Sequence, residues 1–359
     1  MKRMLLCWFA ISLAVTNSWG FDTKPASVFD LMYQADILKL RLEGDLSKLI
    51  LNPETEEYEP MLLDFEGEDG KLHSFTVNVR PRGKFRRQAC DFPPLRLKFK
   101  KDDLTARNLE PEFNKLKLVT HCLDDRLLSR DNVMKEYLAY RMYQLISPYS
   151  FRVQLVEVTY VDTGLGVDGS TYKRFGIIIE TDEQVAQRMH AERCDNCIGK
   201  KPEHMDAREL VRLQLFQYMI GNADWNLSME RNIKLMQPVG REDWIGVPYD
   251  FDFSGLVDAP YALPNPDYDL QSVQERAYIG GKPDAELLKS VFEEFTAQRK
   301  AFRKSIRSTP KLSGAVKEEI LSYLDTFYER DFPQLLELVK AGTGKASTFE
   351  RYYFVVPAK

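Results

Sequence analysis

Long apolar runs, repeats, low-complexity linkers and excess positive charge are missing from most of this 359-residue chain. Beyond residue 20 nothing resembles a transmembrane helix, so no membrane-spanning segment is expected in the mature chain. Without repeats or flexible linkers, the length suits one large two-lobed domain or two smaller ones. Basic residues do not outnumber acidic ones, 50 against 54, for a net charge of -4. A mildly acidic protein is a poor nonspecific binder of nucleic acid, so no nucleic-acid partner is expected. Cysteine is scarce too, at five residues.

What is present begins with Met1-Lys2-Arg3, an apolar run from Met4 to Val15, and Ser18-Trp19-Gly20. Charged, apolar and small-residue segments in that order predict a secretory signal peptide over residues 1-20, cleaved after Gly20. The mature chain then has 48 basic against 54 acidic residues, a charge of -6, and four cysteines, Cys7 having left with the signal. Such a chain is exported to a periplasm or the exterior, or to a secretory lumen in a eukaryote. Cys194 and Cys197 lie between His190 and His204, a ligand set that suits structural Zn²⁺. In an exported protein disulfides are favoured over zinc, and with Cys90 and Cys122 three pairings are open.

From Phe29 to about Phe99 apolar and polar residues alternate, as in Ile37 to Leu42, Met61 to Phe65 and Phe75 to Val79. This predicts a β-meander, with Asp69-Gly70 at a hairpin turn. Leu95 to Phe99 and Leu116 to Thr120 form a further strand pair. Asn132 to Ile146 reads as one amphipathic helix, and Val153 to Val161 and Arg174 to Glu180 return to strand. Between those strands stands Gly164-Leu-Gly166-Val-Asp-Gly169. A phosphate loop precedes the first helix, whereas this motif follows it, so it reads as a hairpin loop. The remainder is mainly helical, over Asp206 to Ile220, Asp284 to Ser308 and Gly314 to Ala341. Strands first and helices later predict an α+β fold with two lobes: a β-rich N-lobe over 21-180 with one helix, and a helical C-lobe over 181-359. The aromatic residues Phe349, Tyr352, Tyr353 and Phe354 complete the core.

The segment from Met219 to Gly255 carries the chemistry. Met219 to Asp224 ends a helix, Asn232 to Met236 opens one strand, and Trp244 to Gly255 closes the next with Asp250 and Asp252. Each Asp or Asn alone caps helices and turns. Their order is the one kinases use for phosphoryl transfer, which needs a carboxylate to orient the acceptor and oxygen ligands for Mg²⁺.

Over most of the mature chain the sequence resembles the CotH-type atypical kinases, and more distantly the HipA-like and secretory-pathway kinases. The resemblance rests on Arg80-Pro-Arg82-Gly83 to Arg87, on Phe92 to Phe99, on Leu116 to Thr120 with the helix holding Glu136, on Gly176 to Glu180 before the hinge between lobes, and on Pro248-Tyr-Asp250-Phe-Asp252 to Gly255. It implies a protein-kinase-like fold using ATP with Mg²⁺ or Mn²⁺. It makes Asp224 the catalytic carboxylate, Asn232 a metal ligand, and Asp250 the main metal aspartate with Asp252 second or alternate. An N-lobe lysine would pair with Glu136 over the nucleotide phosphates; Lys117 is preferred to Lys98. Among the arginines 80, 82, 86 and 87, Arg82 is the best placed for phosphate because Gly83 lets the backbone approach. The gap from Asp224 to Asn232 is three residues longer than in ordinary kinases. An insertion near Asn226 to Glu230 therefore interrupts the loop, and Asn226 is an alternative ligand. There is no His-Arg-Asp and no Asp-Phe-Gly.

These residues predict an exported kinase acting on Ser, Thr or Tyr hydroxyls of a protein substrate. A nucleotidyl or glutamyl transferase could use the same site. The alternative class is a noncatalytic kinase-fold binding module of the envelope or extracellular surface; a zinc-stabilised adhesion protein built around residues 190 to 204 has the least support.

Overall fold

The computed structural model describes residues 25–164, 170–345 and 353–355, so the signal-peptide segment, residues 165–169 of the glycine-rich connection, Phe349 and Tyr352 lie outside the described residues. The fold is α+β. After a short α1 (Val28–Met32) come β1 (Leu38–Gly44), α2 (Ser47–Leu51), β2 (Glu59–Glu66), β3 (Leu72–Pro81), α3 (Phe85–Ala89), β4 (Leu95–Lys98), α4 (Lys101–Ala106), β5 (Lys115–Val119), α5 (Arg126–Gln144), β6 (Val153–Asp162) and β7 (Thr171–Ile179). The seven strands close into a barrel in the order β1-β2-β3-β4-β5-β7-β6, the parallel β1–β6 pair making the closure.

Alternation explains the barrel. Leu38, Leu40 and Leu42 of β1, Leu63 and Phe65 of β2, and Val77 and Val79 of β3 fill its interior while the residues between them point outward. The β2–β3 hairpin turns at Gly67 to Lys71, with Gly70 in the left-handed region at φ 70°. On β5, β6 and β7 both faces are covered: Leu118, Val156 and Ile178 point into the barrel, and Val119, Leu155, Ile177 and Ile179 face the helices. That is why Ile177-Ile178-Ile179 has no polar member. β6 and β7 pair antiparallel up to Val161 opposite Thr171, as a hairpin requires.

The remaining elements are α6 (Asp182–Arg188), β8 (Ala191–Arg193), α7 (Ala207–Ile220), β9 (Ile233–Pro238), β10 (Ile245–Pro248), β11 (Ala277–Ile279), α8 (Ala285–Ser308), α9 (Gly314–Thr326), α10 (Phe332–Ala341) and β12 (Tyr353–Val355). α7 is buried on most faces, and its two interior glutamines are hydrogen-bonded: Gln214 to Gly280 and Tyr278, Gln217 to Asn222. The single helix expected over 314 to 341 is interrupted. Phe327 to Asp331 forms a π-helical turn before α10, whose second residue, Pro333, has no N–H to continue an α-helical ladder. Tyr353 and Phe354 are buried, as expected of core aromatics. Among the described residues no helix is long and apolar enough to cross a membrane.

The four cysteines form two disulfides, Cys90–Cys122 and Cys194–Cys197. The first spans 32 residues and ties the end of α3 to the chain after β5. Replacing both its cysteines by serine is expected to cost about 3–4 kcal/mol, read as a lower denaturant midpoint, because a loop of that size is freed in the unfolded chain.

Candidate functional site

α7 ends at Gly221, whose φ of 66° turns the chain out of the helix. The Gly255 amide donates to the Gly221 carbonyl at 3.0 Å, joining the chain after α7 to the chain after β10. A Cβ on Gly255 would stand 2.7 Å from the Val273 carbonyl oxygen, so only glycine permits this approach. Asp224 follows, its amide held by the Asn222 side chain at 2.9 Å.

The insertion then closes on itself. Asn226 and Arg231 exchange backbone hydrogen bonds at 3.0 Å, and Asn226 Oδ1 accepts from the Ser228 hydroxyl and the Met229 amide. Asn226 is therefore buried and engaged inside the loop, whereas Asn232 faces the open cleft. Asn232 Nδ2 donates to the Asp224 carbonyl at 2.6 Å and to its carboxylate at 2.9 Å, which leaves Asn232 Oδ1 as an oxygen donor for a ligand. β9 and β10 pair so that Ile233 lies opposite Pro248, and the Tyr249 amide reaches the Asn232 carbonyl at 3.0 Å. Asp250 thus arrives beside Asn232. Both hold left-handed backbone, φ 54° and 63°, a conformation that Asn and Asp tolerate better than most residues.

From the other side α5 presents Glu136 and Tyr140, one turn apart. The Tyr140 hydroxyl accepts the Asp250 amide hydrogen at 2.9 Å. Arg86, buried on α3, reaches all three acidic groups: its Nη2 lies 2.8 Å from Asp250 and 3.3 Å from Glu136, and its Nε lies 2.7 Å from Asp252. One cation against three carboxylates leaves an excess of negative charge. Burial pushes the Glu136 and Asp252 carboxyls up, with neighbouring carboxylates adding and Arg86 opposing. Hard oxygen donors with uncompensated negative charge suit a divalent cation such as Mg²⁺. Burial likewise raises Asp224 to about 6, with Arg231 opposing and Asp250 and Asp252 adding.

Asp224, Asn232, Asp250, Asp252, Arg82 and Arg86 all line one cleft of about 690 Å³. Two expected contacts are not formed. Lys117 does not pair with Glu136: its amino group lies 2.8 Å from Asp182 and 5.1 Å from the Tyr249 ring centre, and Arg86 holds Glu136 instead. The alternation of β5 sends Lys117 away from the barrel interior, and the acid it meets on that face is the first residue of α6. Lys98 lies on the outer face of β4, 5.3 Å over Tyr58 and off the cleft, because Leu95 and Leu97 take the inward positions. Arg86 also departs from its expected place among phosphate-binding arginines, since carboxylates occupy its donors. Neither Arg86 as a bridge nor Tyr140 as an anchor is marked by spacing, apart from Glu136 and Tyr140 sharing a helix face.

The Cys194–Cys197 loop is fastened to the insertion. Glu230 accepts from the Cys197 amide at 3.0 Å, and Gly199 donates to the Ser228 carbonyl at 2.7 Å. Glu230, not His190 or His204, stands with the two sulfurs, which the disulfide already uses.

No protein-family model matches the chain, and no curated protein matches it in sequence. Among solved structures, the Helicobacter pylori proinflammatory kinase CtkA is similar with a TM-score of 0.37 and 12% identity, over 64% of this chain and 92% of that one. A score and identity this low establish neither a shared family nor a shared activity.

Proposed function

We propose that this chain is an exported, metal-dependent phosphotransferase of the CotH-like kinase type, with the barrel as N-lobe and the helical part as C-lobe. It moves a phosphoryl group from ATP to a hydroxyl of a protein. The observation that carries this reading is the convergence of Asp224, Asn232, Asp250 and Asp252 on one cleft with two arginines. Asn232 and Asp250 would hold Mg²⁺ or Mn²⁺, with Asp252 the second or alternate aspartate; the metal would offset the charge of the phosphates. Asp224 orients the acceptor hydroxyl and takes its proton. Asn232 keeps that carboxylate in place, and Arg86 with Tyr140 holds Asp250. Arg82, half-buried and lining the same cleft as Asp250, meets phosphate oxygens. Lys117, paired with Asp182, contributes positive charge near Tyr249 rather than an ion pair to Glu136. The two disulfides suit an exported chain.

ATP is expected to raise the melting temperature in the presence of Mg²⁺ or Mn²⁺ and not in its absence. No shift with any nucleotide would favour the noncatalytic binding module. The mass added to the acceptor separates phosphoryl from nucleotidyl or glutamyl transfer.

Asp224 also sets a pH dependence. Its raised pKa means that it keeps its proton up to about pH 6, so the transfer rate should climb as pH rises through that value and level off above it. Asp224→Asn is expected to lower kcat about 10²–10⁴-fold and flatten that limb while metal–nucleotide stabilisation persists. Rate–pH profiles of both proteins check this.

A further inference from the structure

Outside the cleft, the face of β3 and β4 carries a second concentration of charge. Arg80 lies directly opposite Arg96 in the antiparallel register. Like charges at such a position are destabilising unless something of opposite sign compensates them. Around them Arg82, Lys84 and Arg87 complete a pocket of about 350 Å³ whose only acidic lining residues are Glu54 and Glu56. Those acids do not balance it. Glu56 pairs with Arg80 and Arg87, Glu54 lies 3.6 Å from Arg87, and among the described residues Arg82, Lys84 and Arg96 make no salt bridge.

The arginines also keep unused donors, although the terminal nitrogens of Arg80 and Arg87 reach the Pro81 carbonyl and Glu56, and those of Arg87 the Glu54 carbonyl. The Nε atoms of Arg80, Arg82 and Arg87 are buried with no hydrogen-bond partner, and Arg87 as a residue is only 8% exposed. Buried donors without acceptors are costly, and guanidinium groups match carboxylate and phosphate oxygens. The pocket is continuous with the cleft, since Arg82, Gly83 and Lys84 line both. The aspartates and Asn232 line the cleft alone, so the metal and nucleotide belong there and the pocket faces whatever extends past the rim.

We propose that this pocket is an anion subsite for the acceptor, and that the transferase acts on an acidic, hydroxyl-bearing polypeptide segment whose carboxylate or phosphate group seats between Arg80, Arg87 and Arg96. The inference rests on the phosphotransferase reading. On a chain whose net charge is -4, a local positive pocket also selects such a segment electrostatically. Glu56 occupies part of the pocket as an internal competitor: its side chain is 67% exposed, and it leaves when the ligand's oxygens replace it.

The test is equilibrium binding, by fluorescence anisotropy, of three serine-containing peptides that differ only in flanking residues: glutamate, phosphoserine or glutamine. It is run without nucleotide or metal. The acidic and phosphorylated peptides are expected to bind at least about tenfold more tightly than the glutamine peptide, and Arg96→Glu to remove that advantage. The ratio between the first two says whether carboxylate or phosphate is preferred. Glu56→Gln should act in the opposite direction and strengthen binding of both, which keeps the inference testable should Arg96→Glu fold poorly. Equal affinity for all three peptides would overturn the proposal. So would weakening of the glutamine peptide by Arg96→Glu to the same degree as the others, or displacement by inorganic phosphate as potent as by peptide. Repeating the titration with Asp250→Asn separates the two readings: peptide selectivity should survive there, whereas metal-dependent nucleotide stabilisation is the readout of the transferase itself.

Discussion

Replacing Asp250 by asparagine is expected to abolish metal-dependent stabilisation by ATP and to lower transfer by about 10³-fold or more, several kcal/mol of lost charge stabilisation. The size follows from position. Asp250 is the acid that both touches Arg86 and opens to the cleft, its side chain being 38% exposed against 4% for Asp252. Asp252 is closed over by Arg86 and by the Tyr261 hydroxyl, so it supports the site from behind. Asparagine is the informative substitution because residue 250 has φ 63°, which asparagine tolerates; alanine adds about 1–2 kcal/mol of backbone strain unrelated to metal. Melting curves with ATP and Mg²⁺, together and separately, check the first effect, and a transfer assay checks the second. A full metal-dependent shift in Asp250→Asn would move the metal site to Asp252 or dissolve it.

The second large effect concerns Arg86. Arg86→Met should destabilise the fold by about 3–5 kcal/mol, since it leaves Glu136 and Asp252 buried without their counter-charge. Chemical denaturation measures this directly. Glu136→Gln in the Arg86→Met background should recover part of the loss, because one of the stranded charges is gone. The pH dependence has a definite sign. Both carboxyls have folded-state pKa values raised by burial, and removing Arg86 raises them further. A raised group contributes stability that is complete below its unfolded value, about 4, and is lost as pH rises through the folded value. The deficit of Arg86→Met should therefore be smallest near pH 4 and grow as pH rises through the wild-type folded values, that of Glu136 being raised to about 8. A deficit independent of pH would mean that Arg86 acts by packing alone.

Some of this arrangement is legible in residues 29 to 99, where alternation of period two names the inward positions of β1 to β4. The barrel's closure is not legible there, because it depends on β1 lying parallel to β6, a pairing more than 100 residues apart. The same limit applies to Lys117. Its alternation says that it points opposite to Leu116 and Leu118, but the acid waiting on that side is Asp182, 65 residues on, and not Glu136. Arg86 could not be singled out from its three arginine neighbours, since the carboxylates it joins lie 50, 164 and 166 residues away.

Composition and local pattern alone determined the supply of hard oxygen donors between Met219 and Gly255 and the strand and helix periods. Only the tertiary structure decided which charges meet, which asparagine faces the cleft, and how four cysteines pair. Hydrophobic periodicity is a local property, written within a few residues of itself, whereas a hydrogen bond or ion pair needs its partners within a few ångströms, and chain separation puts no bound on who those partners are.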